Sequence, residues 1–291
     1  MFTYLVLLRT LALALTLTKN YSMKKLLYLI TILFAILLSA CETDDTITQV
    51  AYRKPIVECF INSEVDTITI KFSEMIQYLG EDDDSLADPI IGLNVYVMKS
   101  ESDSILLEEK KPGVYQSSFS EIGASIGDSI RFSTYIDNYR LSSDTWLPPK
   151  PTSIDINDDI IYIDPDNRMG MMMNSDLTLS WDNPEEAFYY ISMENLESDP
   201  VPVNEMVEGM PTLRQTPPSQ GDQYEIRIRN IMYFVTYRVI LFRVNQEFAN
   251  LFDNPTMSTV SLTEPPSNIK NGLGIFTAFS TDTVFFEVKE Q

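Results

Sequence analysis

Histidine is absent from the 291-residue chain, cysteine occurs twice, and bases are scarce, 21 against 42 acids. Without histidine, Ser-His-Asp and Cys-His nucleophilic systems are excluded, as are the usual zinc sites that use imidazole. A formal charge of −21 makes nucleic acid a poor partner, because affinity there rests on Lys and Arg contacts with phosphate. The same charge keeps an exported chain soluble and attracts divalent cations, although a plain solvated acidic surface accounts for it equally well. Carboxylate pairs of the glycosidase kind stay open, since 42 acids supply many pairs and the sequence singles out none.

What is present begins with Met23-Lys24-Lys25, an apolar run from Leu26 to Leu38 and the small residues Ser39-Ala40 before Cys41. The run is 13 residues long, short of the ~20 that a spanning helix needs. Basic, apolar and small-residue segments in that order form a secretory signal. Leu38-Ser39-Ala40-Cys41 resembles the lipobox of bacterial lipoproteins, which implies cleavage before Cys41 and diacylglycerol on its thiol. A plain signal peptide with a coincidental cysteine is the alternative. Met23 is the expected start, with residues 1–22 a mis-assigned upstream extension, 23–40 the signal peptide and 41–53 an acidic tether. The acidity of Glu42-Thr43-Asp44-Asp45 resembles the export signal that sends lipoproteins of the Bacteroidota to the outer face of the outer membrane. From Cys41 onward 17 bases remain against 42 acids, a balance of −25, so attachment would come from the lipid and not from anionic headgroups.

With Cys41 lipidated, Cys59 is left without an intramolecular disulfide. It sits in the strand-like run Ile56 to Ile61 and reads as a small buried hydrophobe. From Lys54 to Tyr139 strand patterns recur. Ile68, Ile70 and Phe72 alternate onto one face, as do Leu93, Val95 and Val97, then Ile130, Phe132, Thr134 and Ile136. Turn signals separate them at Gly80 to Pro89, Pro112-Gly113 and Gly123 to Asp128. No helical period of useful length intervenes, so 54–145 is expected to be a β-sandwich, Ig-like or carboxypeptidase-regulatory-like. Trp146 to Pro151, with three prolines, marks a linker over 146–153. Met169 to Met173 reads as core filling more readily than as an adaptable binding surface.

Asp176 to Pro184 resembles the second strand of a fibronectin type III domain, with its core tryptophan at Trp181 and a proline turn after it. Phe188 to Ser192, Gln223 to Ile231 and Tyr237 to Asn245 fit the next, fifth and sixth strands. Tyr237 is the candidate for the tyrosine that bonds back across the corner in that fold. The expected architecture is therefore all-β, two β-sandwich domains in tandem, with the fibronectin-like one over 154–291. It departs from the pattern by an insert at 246–273, whose start places Phe248, Ala249, Leu251 and Phe252 at spacings that suit a short helix. An insert of that length is uncommon unless functional or disordered.

Ser267 to Phe276 contains Asn271-Gly272 and Gly274, which suit a tight turn and close backbone approach. It is no phosphate loop, since neither a third glycine nor Lys-Ser/Thr follows. This stretch, with Pro89 to Val95, Gly113 to Tyr115 and the lipobox, resembles an uncharacterised family of Bacteroidota outer-membrane lipoproteins known as a domain of unknown function. Its members are typically encoded beside TonB-dependent receptors. The resemblance implies an accessory role at the outer-membrane surface, facing the exterior, with outer-membrane lipid held through Cys41 and a TonB-dependent β-barrel as partner. No catalytic residues carry over.

Asp82-Asp83-Asp84 and Asp164-Pro165-Asp166-Asn167 read as solvated turns and not as calcium sites, so neither metal nor cofactor is expected. Six Asp-Ser/Thr-aliphatic tripeptides resemble the O-glycan acceptor of exported Bacteroidota proteins, with Thr46 and Ser85 the candidate acceptors. The favoured function is a non-catalytic binding or accessory subunit of a receptor in nutrient uptake, recognising its partner through the 246–273 insert and the 80–89 loop. The alternatives are a glycan- or peptide-binding adhesin, for which Trp146, Tyr162, Tyr189 and Tyr233 are candidate aromatics, and a histidine-free hydrolase with paired carboxylates.

Overall fold

The computed structural model describes residues 54–74, 87–100, 102–164, 176–207, 209–211, 213–252 and 266–291. Residues 53–291 form one compact unit. Its first eight strands are β1 (Ile56–Asn62), β2 (Thr67–Ser73), β3 (Tyr96–Met98), β4 (Ser104–Leu106), β5 (Glu108–Lys111), β6 (Val114–Ser118), β7 (Ser129–Ile136) and β8 (Tyr139–Trp146). After Pro148-Pro149-Lys150-Pro151 come β9 (Thr152–Ile156), β10 (Ile160–Ile163), β11 (Leu177–Asp182), β12 (Phe188–Asn195), β13 (Val201–Pro202), β14 (Arg214–Gln215), β15 (Gln223–Ile226), β16 (Tyr233–Phe234) and β17 (Thr236–Val244). A short helix α1 (Gln246–Ala249) precedes the last strand, β18 (Leu273–Glu290).

The alternations forecast for β2 and β7 hold. Ile68, Ile70 and Phe72 are buried, as are Ile130, Phe132 and Thr134. In the first sandwich β1, β2, β6 and β5 pair in that order, and the facing sheet runs β4-β3-β7-β8. Phe72 and Phe132 meet edge to face between them, with Tyr115 against Phe72 and Phe276 against Phe132. Strand β3 is shorter than the pattern from Leu93 suggests. The Leu93 N–H donates to the Tyr115 hydroxyl instead of to a ladder partner, while Val95 still reaches the core.

The second sandwich sets β15-β11-β9 against β14-β12-β17 and the far half of β18. Trp181 lies in its core 5.5 Å from Tyr189. The Tyr237 hydroxyl accepts from the Tyr233 N–H at 3.1 Å, bonding back across the corner as the sequence suggests. The fifth strand stops early: Ile228–Asn230 is a 3-10 turn, anchored by the Ile228 N–H on the Asp176 carboxylate. That turn buries Ile226, Ile228 and Ile231 together, which strict alternation would not allow.

The two cores are not successive stretches of chain. Strand β18 runs 18 residues and serves both. Leu273 to Phe279 pair in parallel with β1, and Phe279 to Glu287 pair antiparallel with β17. A nine-stranded sheet therefore passes through both sandwiches. Ile269, Phe276 and Ala278 belong to the first core, whereas Phe286 and Val288 belong to the second. The tandem division at 146–153 thus assigns Ile269 to Phe279 to the second sandwich, where the backbone gives them to the first. The Pro-rich stretch is no loose spacer either: Leu147 is fully buried, and the Ser280 hydroxyl donates to the Pro149 carbonyl at 2.6 Å.

Candidate binding surfaces

The segments that carry the family resemblance come together as parts of the frame. The Tyr115 ring is buried by the alternation of β6, and its hydroxyl donates to the Ile90 carbonyl, so Gly113 to Tyr115 clamps Pro89 to Val95. The Glu109 carboxylate accepts from the Gly92 and Gly113 N–H groups, and these hold it below the usual carboxylate range. At the other end, the Asn268 side-chain amide pairs with the Phe276 backbone as a strand would, accepting from its N–H at 3.0 Å and donating to its carbonyl at 2.7 Å. The Asn268 carbonyl accepts from Ser143, and the Lys270 N–H donates to the Ser142 carbonyl. Ser267 to Phe276 thereby closes the first sandwich between its two sheets, and Gly272 and Gly274 serve close packing.

The described part of the 246–273 insert is built into the junction. The Asn245 amide donates to the Thr145 hydroxyl and to the Trp146 carbonyl, both at 2.8 Å. Glu247 of α1 accepts from Thr145 at 2.5 Å and from Thr277 at 3.2 Å, linking β8, α1 and β18. Arg243 pairs with Glu185, and its guanidinium carbon sits 5.8 Å from the centre of the Trp146 ring.

On the outer face of the long sheet, cross-strand register lines up a ladder of aromatics. Tyr190 opposes Phe242 directly, and their rings stack at 4.3 Å. Tyr190 also stacks on Phe248 at 5.4 Å, Phe242 meets Phe279 at 5.5 Å, Phe248 meets Phe252 at 5.4 Å and reaches Phe60 at 6.3 Å. The inner rings are half-buried, and desolvation pushes the Tyr190 hydroxyl up to about 12. The ends stay open: Phe60 is 49% exposed and Phe252 50%. Strands from both sandwiches and α1 contribute, so the ladder is an apolar surface on a rigid base.

A second feature is a half-open groove of about 200 Å³ at the edge of the second sandwich. Ile191, Met193 and Ile226, all buried, form its floor; Arg214, Arg227 and Tyr224 stand around it. None of these residues was singled out by sequence patterning. Ile191, Tyr224, Ile226 and Arg227 were visible only as members of forecast strands, and their proximity to Arg214 depends on strand pairing.

Among the residues forecast as sites, Cys41, Thr46 and Ser85 lie outside the described residues, as do Asp82 to Asp84, Asp166, Asn167, the methionines at 169–173 and residues 80–86 of the 80–89 loop. Cys59 is buried in the first core, and burial pushes its thiol up. Tyr189 and Tyr233 are core residues, while Trp146 and Tyr162 keep exposed surface. No group of three or more Cys, Asp or Glu suited to a metal occurs among the described residues. No helix among them is long and apolar enough to cross a membrane.

Residues 44–284 match the family model described as Domain of unknown function (DUF4249). The chain belongs to this family. The DUF4249 match covers strands of both sandwiches and the shared strand as far as residue 284. No curated protein matches. Among solved structures, the FN1–FN3 domains of chicken CNTN1 are 11% identical over 81% of this chain and 66% of theirs, with a TM-score of 0.28. A 1.5-MDa bacterial ice-binding adhesin, described for its retention at the host cell surface, is 12% identical over 82% of this chain and 66% of its own, with a TM-score of 0.22. The chain thus spans just under two thirds of each. DIP-gamma IG1+IG2 is 9% identical over 82% of this chain and 98% of its own, with a TM-score of 0.20.

Proposed function

We propose that the chain is a lipid-anchored, non-catalytic subunit at the outer-membrane surface that serves a TonB-dependent β-barrel receptor in nutrient uptake. The observation that carries this reading is the aromatic ladder. Its half-exposed Phe60 and Phe252 form the kind of apolar patch that marks protein interaction sites, and aromatics are enriched at interface cores. A ladder fixed by strand register and α1 loses little side-chain freedom on binding, which lowers the cost of association. Lipid on Cys41 would hold the chain at the membrane, where a barrel partner is concentrated.

The adhesin reading for glycans needs open ring faces. Tyr190 stacks on both Phe242 and Phe248, and Tyr189 and Tyr233 are buried, which leaves Trp146 and Tyr162 as the exposed candidates for that reading. The hydrolase reading needs facing carboxylates, and the groove in the second sandwich is lined by none. The test is affinity purification of the native chain from outer membranes in mild detergent, beside a Phe60→Ser/Phe252→Ser double variant. The native chain should recover a β-barrel receptor, and the variant about tenfold less, the scale of a lost aromatic anchor. Native chain that reproducibly recovers no barrel overturns the proposal.

A further inference from the structure

We propose that the groove at the edge of the second sandwich binds a carboxylate carried on one apolar group of single-residue size. Three observations point there independently of the aromatic ladder. First, Arg214 and Arg227 line the same groove, and neither has a carboxylate partner among the described residues. That is unexpected where acids outnumber bases 42 to 21. A guanidinium fork binds carboxylate in a bidentate way, and two of them give a site its orientation as well as its charge.

Second, the floor is apolar. Ile191, Met193 and Ile226 are each buried to within a few per cent yet reach the groove, so the preferred ligand presents hydrocarbon below its acid. The volume of about 200 Å³ is under the ~300 Å³ at which pockets for drug-sized ligands begin, and this limits the buried part to one small group. Third, the groove lies between β14 and β15, the end strands of their respective sheets. An extended chain could therefore run out along a sheet edge, a common mode of peptide capture. The net negative charge opposes an acid only weakly at this spot. Screening at physiological salt weakens exposed charges beyond about 8 Å, and no carboxylate lines the groove itself.

Such a group occurs at the C-terminus of a peptide ending in an apolar residue, and in a free acid such as an N-acylated amino acid. Both can be tested on the full chain in detergent micelles. The probes are a fluorescent pentapeptide ending in leucine with a free carboxylate, its C-terminal amide twin, and N-acetyl-leucine as competitor and as a direct calorimetric ligand. The acid peptide should bind about tenfold or more tightly than the amide. Arg214→Ala and Arg227→Ala should each remove most of that difference, whereas Arg131→Ala, on the exposed face of β7, should keep it. Displacement by N-acetyl-leucine at a concentration like that of the peptide supports the free-acid source; failure to displace supports the peptide terminus. Equal binding of acid and amide, or no binding of either acid, overturns the proposal. The comparison of acid with amide uses the unaltered chain, so a variant that fails to fold leaves the test intact.

Discussion

Gly274 carries β18 past β1 with no room for a side chain. Its φ is +102°, and a Cβ placed there would lie 2.0 Å from the Val57 carbonyl oxygen. Gly127 has a similar φ of +88° with nothing within 4 Å. Gly127→Ala should therefore cost only the conformational strain, about 1 kcal/mol, whereas Gly274→Ala should cost at least about 3 kcal/mol because backbone must move. Urea unfolding of both variants measures this, and equal losses would contradict the close approach. Asp66 gives a pH prediction. Its carboxylate accepts first from the Ser120 N–H and then from the Ser118 hydroxyl, and these bonds hold its pKa down. A depressed folded value contributes stability above the unfolded pKa of ~3.9, and that contribution is lost as pH falls through the folded value. Glu109 and Asp128 are lowered as well. Native chain should thus lose stability from about pH 4 downward, and Asp66→Asn should flatten that slope. Denaturation midpoints at several acid pH values that fall equally in both would contradict the role given to Asp66. Residues of this kind are half legible: Asn271-Gly272 and Gly274 read as close-packing glycines, but what each approaches is a tertiary fact.

At the scale of elements, β2 and β7 were legible from alternating apolar residues, and β11, β12 and β17 from their likeness to fibronectin-like strands. Ile68, Ile70 and Phe72 show the alternation most clearly. The 3-10 turn at Ile228–Asn230 was not, since it takes Asp176 from a distant segment to make the bend. Nor was the reach of β18. Residues 266–279 follow the fibronectin-like sixth strand in sequence, and chain order alone places them with the second sandwich, yet Leu273 to Phe279 pair with β1. The Asn268 amide sets that seam, with two bonds to the Phe276 backbone. Asn268→Ala leaves a backbone N–H and carbonyl unpaired and should cost about 2 kcal/mol. Asn268→Asp keeps the acceptor but sets a carboxylate oxygen against the Phe276 carbonyl, so it should cost at least as much. Hydrogen exchange should then show the Phe276 amide losing protection in Asn268→Ala while Leu241 of β17 keeps more of its own. Unchanged protection at Phe276 would contradict the role of the seam.

At the scale of the molecule, one nine-stranded sheet joins two cores, and the junction is stiffened by Asn245, Glu247 and Leu147. The all-β class was legible throughout. The surfaces were not, because the ladder from Phe60 to Phe252 exists only once β1, β18, β17, β12 and α1 are in register, and the groove only once β14 and β15 lie on the same flank. Helical spacing had already grouped Phe248 with Phe252. The described part of the 246–273 insert both braces the sheet through Glu247 and supplies Phe248 and Phe252 to the ladder. In the proposed function this outer face meets a membrane-embedded partner. Photo-crosslinking in living cells tests it most directly, with p-benzoylphenylalanine placed in turn at Phe60, Phe252 and Tyr135, the last an exposed residue on the four-stranded sheet. Positions 60 and 252 should yield an adduct with an outer-membrane β-barrel, and position 135 should yield none. No barrel adduct from 60 and 252, or equal adducts from all three, would contradict the account.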